Sequence, residues 1–420
     1  MLSDKTKNIY LYLFALIFPF WAWIASIRFF KSPSAMNLFW YGCAFMGFVF
    51  IFNPIGGSTS DSSRIANELI VMHNNPIDFN TVSSYFYSQD GNLDIYQSLL
   101  CFITSIFTNN PHILFFNHAL IFGFFYSRNI WIIFKFSENS KIDFSIWIVI
   151  IMTILINPIW EINGGRMWLA LHVFMYGLFS FFLSNNKMKA IWCFLSIFIH
   201  FSFIIPLMLF FISLFVPKRN LTFYFVLYLV ASSIKEIDFK WLNEFLMNNV
   251  PDLLSRKVES YMSEEYKETL NDVKQYLSSY LFVTAKMAKA FVILVLIFIW
   301  KCKNELLREE RYRQLLFLFL FFGSIFEILS SIQSMGRFLK IPNMIFYSLL
   351  LLMLFDNSLQ LHSIQKLIKY LIILLFLPIL LAIRIGFYYY GTSLFWSNFI
   401  ASFFIEDRTP LINYVKQLFE

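Results

Sequence analysis

Phe291-Val-Ile-Leu-Val-Leu-Ile-Phe-Ile-Trp300 is apolar at every position, and Leu349-Leu-Leu-Leu-Met-Leu-Phe355 repeats the pattern. Neither run alternates polar and apolar residues, as a strand between lipid and the lumen of a barrel must. Around them, hydrophobic residues make up 58% of the 420 positions and charged residues 14%. Soluble domains carry nearer a quarter charged residues, so this chain takes lipid as its solvent. In lipid the backbone must satisfy its own hydrogen bonds, which leaves helix bundles or closed barrels. The unalternating runs select the bundle. The expected fold is all-α: a polytopic integral membrane protein with about 11–13 transmembrane helices and two longer extracytoplasmic polar segments.

Working outward, the expected spans are Ile9–Phe30, Met36–Phe52, His112–Phe134, Phe144–Trp160, Met167–Leu183 and Lys189–Phe201. They continue with Phe203–Val216, Leu221–Ile234, Ala285–Trp300, Leu315–Ser331, Phe338–Phe355 and Leu367–Ile385. Leu93–Phe107 and Leu394–Ile405 are shorter and read as re-entrant or interfacial. The whole chain, 1–420, is expected to form a single membrane domain. Its first polar loop is 53–92, and 235–284 is an amphipathic helical polar loop in which Leu253, Leu254, Val258, Tyr261 and Met262 fall at helical spacing. The first span is too long for a signal-peptide core and reads as a retained helix.

The net charge of +7 is spread over short loops, which argues against nucleic-acid binding. Basic loops at Arg28/Lys31, Lys135/Lys141, Lys187/Lys189, Lys218/Arg219 and Lys301–Arg313 are expected to be cytoplasmic. The polar segments and the turns bearing Arg166, His200 and Arg337 then fall on the opposite face. Keeping 53–92 on that face requires Leu93–Phe107 to be re-entrant; otherwise the first loop is cytoplasmic, a variant that Lys5 and Lys7 support. Cys43, Cys101, Cys193 and Cys302 lack metal-ligand or redox spacing and read as packing residues. No metal site and no cofactor are expected.

Two spans open with an arginine after a glycine: Asn163-Gly-Gly-Arg166 and Ser334-Met-Gly-Arg337. A cation at the lip of a membrane helix meets water, an acid or an anionic ligand, and guanidinium suits phosphate through its permanent charge and planar fork of donors. Snorkelling toward the interface is the bland alternative. His200, at the end of Ile191–Phe201, is either a general base or a structural histidine bonded to a helix-end carbonyl. His118 and His172 read as packed and hydrogen-bonded. Glu161 and Glu327 precede the two arginines and read as counter-ions, with a base as the other option. Asp61 and Arg64 could touch a sugar or simply decorate a solvated loop.

Asn163-Gly-Gly-Arg166-x-x-x-Ala170, the basic turn at Lys187/Lys189 and Phe198-Ile-His200-Phe-Ser202 follow in that order. With a loop acid upstream and Arg337 downstream, the set resembles the EpsG-like and Wzy-type polysaccharide polymerases of bacterial inner membranes. Gly165 stands where that family commonly has a branched residue, Met167 replaces its usual Gln, and Ser62-Ser63-Arg64 follows the loop acid in place of a nearby tyrosine. The resemblance implies an O-antigen or surface polysaccharide polymerase acting by metal-independent glycosyl transfer at the periplasmic face. Donor and acceptor would both be undecaprenyl-pyrophosphate-linked oligosaccharides. Arg166, Arg337 and His200 would be catalytic, with Asp61, Arg64, Glu161, Glu327 and Asn163 binding substrate. A chain-length regulator is the protein partner implied. The rival readings are a flippase for the same lipid-linked sugars, or another lipid-sugar glycosyltransferase such as an O-antigen ligase.

Overall fold

In the computed structural model, residues 4–52, 60–76, 94–137, 142–218, 220–234, 279–301, 309–332, 334–356, 362–405 and 408–418 are described. Of these, 81% are helical and no strand occurs among them. The amphipathic segment expected at 235–284 lies almost entirely outside the described residues, as do Asp78, Asp90 and Cys302. The fold is an all-α, multi-pass membrane protein. Its surface agrees with that: Ile9, Leu16, Phe211, Phe223, Leu294 and Phe376 are among many large apolar side chains left exposed, an arrangement water penalises and lipid does not.

Among the described residues, four helical stretches are individually long and apolar enough to cross a membrane: Phe144–Gly164, Tyr280–Lys301, Glu310–Leu329 and Met335–Phe355. The bent pair Ile364–Leu371 and Ile373–Gly386, angled at 55°, makes a fifth if it is one span. Several of the other expected spans are built from shorter or broken pieces. Ile9–Phe30 divides into α1 (Asp4–Ile17) and α2 (Pro19–Arg28). Pro19 is the cause: it brings no N–H and stands at the first turn of the second helix.

The chain divides into two compact units, one made of residues 1–137, 157–208 and 382–420, the other of 138–156 and 209–381. In the first, α3 (Ala35–Phe48) lies along α6 (Pro111–Phe134). A Cβ on Gly123 would stand 2.6 Å from that of Cys43, and one on Gly47 would collide with Ala119. Small residues therefore set this helix spacing, as is common in membranes. Part of the expected first polar loop is a helix, α4 (Asp61–Asn74), started by Ser60 Oγ accepting from the Ser63 N–H at 3.2 Å. Its buried Ile65, Leu69 and Met72 pack with Cys101 and Phe102 of α5 (Ile95–Ser105) and with Leu114. A 3₁₀ turn at Ile159–Gly164 leads into α8 (Arg166–Phe182), and α9 (Ile191–Ile199) returns beside it.

His118 and His172 are packed and hydrogen-bonded as expected. Tyr96 Oη lies 2.8 Å from His118 Nδ1. His172 is buried against Phe122 and Tyr126, with its Nε2 3.0 Å from the Asn157 carbonyl. Cys43, Cys101 and Cys193 are free and buried.

The second unit contains α7 (Phe144–Leu155), α11 (Leu221–Ser233), α12 (Ser279–Lys301), α13 (Glu310–Leu329) and α14 (Lys340–Phe355). Aromatic rings are its mortar: Tyr224 meets Phe317 edge-on, Tyr228 packs on Phe319, and Phe291 stacks on Tyr347. Its polar pairs sit between helices, including Lys289 Nζ to Glu327 Oε2 at 2.8 Å and Tyr312 Oη donating to Asp356 Oδ2 at 2.6 Å.

Candidate active site

Three helix ends meet around one carboxylate. Asp94 precedes α5 in the N-cap position, where an aspartate ordinarily accepts from the first amides of its own helix. Here it makes no such bond, and both oxygens reach other segments. Oδ2 forms an ion pair with Arg166 Nη1 at 2.9 Å and lies 3.1 Å from His200 Nδ1, while Oδ1 accepts the Phe201 backbone N–H at 2.7 Å. The Asp94 side chain is 3% exposed, those of Arg166 and His200 25% and 21%. The acid is thus a buried anchor for two groups that still reach the surface.

The backbone on either side explains how they get there. Gly165 has φ +54° and ψ −105°, a conformation open to glycine and strained for any residue with a Cβ. That turn ends the 3₁₀ segment and starts α8 at Arg166. On the other side, α9 stops at Ile199. His200 takes an extended conformation, φ −148° and ψ 113°, before a new turn begins at Phe201. The break frees the Phe201 N–H for Asp94 and swings the imidazole toward the same carboxylate.

Burial alone would raise the Asp94 pKa. The His200 hydrogen bond and charge, the Arg166 charge and the Phe201 amide outweigh it, and the acid is held below the ordinary carboxylate range. An ionised carboxylate only accepts hydrogen bonds, so the proton facing it belongs to Nδ1 of His200. In the neutral imidazole that leaves the Nε2 lone pair free, the tautomer a general base requires. Arg166 is held beside Asp94 as an ion pair, and its five N–H donors can also serve a ligand.

A model of the EpsG family matches residues 69–385, which span Asp94, Arg166, His200 and Arg337. The chain belongs to the EpsG family. No curated protein and no solved structure matches it. Membership fits a polysaccharide-polymerase-like, glycosyltransferase-like role for this EpsG protein.

Of the residues singled out in the sequence, Arg166 and His200 are brought together. Asn163 is one turn upstream, donating from Nδ2 to Tyr389 Oη at 2.8 Å, with its buried Oδ1 unpaired among the described residues. Glu161 shares that 3₁₀ turn. The counter-ion that the structure gives Arg166 is Asp94. Glu327, expected to serve Arg337, pairs instead with Lys289. Arg337 belongs to the second unit, exposed on a 3₁₀ turn at Met335–Leu339. Asp61 and Arg64 pair with each other at 2.6 Å on the exposed face of α4 and precede the family match.

Asp94 lies inside the short span expected at Leu93–Phe107 and is not among the residues that the sequence singles out. The available signal is the rule applied to Glu327 inside its apolar helix, that an acid in apolar surroundings needs a partner. Ser202, in the same motif as His200, has a buried Oγ without a partner among the described residues.

Proposed function

We propose that this EpsG-family protein joins lipid-pyrophosphate-linked oligosaccharide repeat units at the periplasmic face of a bacterial inner membrane, as a surface polysaccharide or O-antigen polymerase. The observation that carries the reading is the sharing of Asp94 Oδ2 between Arg166 and His200. It sets a base-competent imidazole next to a guanidinium with donors to spare.

In the proposed reaction, a sugar hydroxyl of the acceptor gives its proton to His200 Nε2. Its oxygen then bonds to the anomeric carbon of the donor chain. The bond from that carbon to the pyrophosphate oxygen breaks, and its electron pair leaves with undecaprenyl pyrophosphate. Arg166 meets the charge that develops there, without needing a metal ion. Asp94 does not touch the sugar; it fixes the tautomer of one partner and the direction of the other. Arg337 is proposed as a separate cation for substrate phosphate, and Asn163 and Glu161 as groups near the donor. A chain-length regulator remains the partner the resemblance implies.

The test is surface polysaccharide from a deletion strain, complemented with wild type, Arg166→Ala, His200→Ala or Arg337→Ala at matched expression. The expected result is core plus one repeat unit in the deletion, a full ladder with wild type, and no ladder with Arg166→Ala or His200→Ala. Loss of every repeat unit in the deletion would move the protein to flipping or ligation. An unchanged ladder would remove it from the pathway.

A further inference from the structure

A second polar feature of the first unit plays no part in that chemistry. Between α1, α3, α6 and the short helix Phe399–Phe403 runs a groove of about 620 Å³. Tyr12, Leu16, Trp40, Ala44, Phe116 and Leu120 line most of it, and Asn37 supplies an amide at one end. From Asn37 to Ala44 the α3 wall covers seven residues, or about 10 Å at the helical rise. That is room for a stretch of hydrocarbon chain.

Arg128 stands at the Asn37 end. Its guanidinium lies 4.1 Å from the Phe124 ring centre and 4.8 Å from that of Trp40. It donates to Ser127 Oγ at 2.9 Å and to Asn37 Oδ1 at 3.5 Å. Among the described residues no carboxylate pairs with it. A membrane-embedded arginine without an acid is an unbalanced charge, and functional assignment is the default for such a residue. Here the aromatic faces orient it without neutralising it.

We infer that this groove holds one anionic glycerophospholipid, with an acyl chain between α1, α3 and α6 and its phosphate on Arg128. The alternative occupant, the pyrophosphate-linked substrate, is disfavoured by position, a step that rests on the proposed function. His118 of α6 lines a small cavity with Arg166, whereas Arg128 lies ten residues further along the same helix, about 15 Å away. A lipid whose headgroup reacts at Arg166 cannot also place it at Arg128. The residue instead shares its end of the unit with the basic turn: Lys189 donates to Tyr176, and the Tyr176 ring packs against Phe125.

The experiment is native mass spectrometry of the full-length protein, taken from mixed phosphatidylglycerol and phosphatidylcholine vesicles into detergent. Wild type is expected to retain one phosphatidylglycerol in preference to phosphatidylcholine. Arg128→Gln is expected to cut that preference about fivefold, the factor matching ~1 kcal/mol for one basic residue at a charged leaflet. Arg128→Lys should keep much of it. Leu120→Trp, which fills the groove and leaves the charge in place, should lower retention of both lipids. If Arg128→Gln does not fold, Leu120→Trp decides alone. Equal retention of the two lipids by wild type, unchanged retention by the variants, or a polyprenyl phosphate as the retained species would each overturn the inference. The readout needs no polymerase activity, so it stands or falls apart from the glycosyl-transfer reading.

Discussion

Two turns of this chain carry the same Gly-Arg dipeptide and are built differently. At Arg166 the unusual backbone falls on the glycine itself, with φ +54° at Gly165, and a buried carboxylate holds the guanidinium. At Arg337 the left-handed residue is Ser334, with φ 65°, and the arginine is exposed on a short 3₁₀ turn. Gly336 needs no special conformation there: a Cβ would meet only Ser330, at 3.9 Å. The same letters thus mark an organised cation in one case and an open one in the other. What separates them is a partner more than seventy residues upstream in sequence, which no local motif displays.

The largest effect is expected where that partner is removed. Asp94→Asn keeps size and polarity but can present an amide N–H to His200 Nδ1. The imidazole proton then moves to Nε2, and the ring can no longer take a proton from a hydroxyl. Polymer formation by purified protein should fall about 10²- to 10⁴-fold, the range of a lost general base. Glu327→Gln, which disturbs the Lys289 pair of the second unit, should leave the rate within about threefold, because a pair with a partner 38% exposed contributes little. Similar losses in both variants would mean that Asp94 is only structural.

The same carboxylate sets a pH signature. Its folded pKa lies below the ordinary carboxylate value of about 3.9, so its stabilising contribution is fully present above that value. It is lost as pH falls through the lower folded value. Thermal unfolding of wild type and Asp94→Asn should therefore differ by a gap that persists from about pH 7 down to about pH 5. The gap should close only below about pH 4. A gap that closes near neutrality would assign the stabilisation to another group.

Much of the fold was legible because lipid imposes a simple rule, and runs such as Phe291–Trp300 state it without ambiguity. The helix α6 begins and ends within a residue of the expected His112–Phe134, since Asn110 and Pro111 mark its start. Breaks were harder to see. Pro19 splits a run whose hydropathy is continuous, and α4 arises in a stretch too polar to register as a helix of the bundle. The site was half legible. Arg166 and His200 stand out because charge and imidazole are rare in apolar surroundings, yet the acid that joins them was read as part of a span. Pairing across 72 residues from Asp94 to Arg166, and 106 to His200, is a property of packing and leaves no mark on spacing.

A smaller but sharper contrast comes from the glycines. Gly165→Ala forces a Cβ into φ +54° and to 3.0 Å from Ile65 Cδ1, and should destabilise the protein by about 1–3 kcal/mol. Gly336→Ala adds a methyl in open space and should change stability by less than about 0.5 kcal/mol. Because Gly165 also aims Arg166, its variant should lose activity beyond what unfolding accounts for, measured at a temperature where it stays folded. Equal tolerance at both positions would show that the Arg166 turn is not the constrained one.

The smallest effect is expected at Asp61 and Arg64. Their side chains are 54% and 64% exposed and they pair one turn apart on α4, an arrangement that typically contributes less than about 0.5 kcal/mol. If they only decorate the surface, Asp61→Ala, Arg64→Ala and the double variant should match wild type in both stability and polymer length. If instead they bind sugar, the single variants should lower affinity for the lipid-linked acceptor at unchanged maximal rate, and the double variant should lower it further. That pattern separates the two roles, because a solvated pair moves neither quantity while a binding pair moves only the first. It would also place substrate contacts outside the stretch the family match covers, on a helix whose buried face already packs against the segment that carries Asp94.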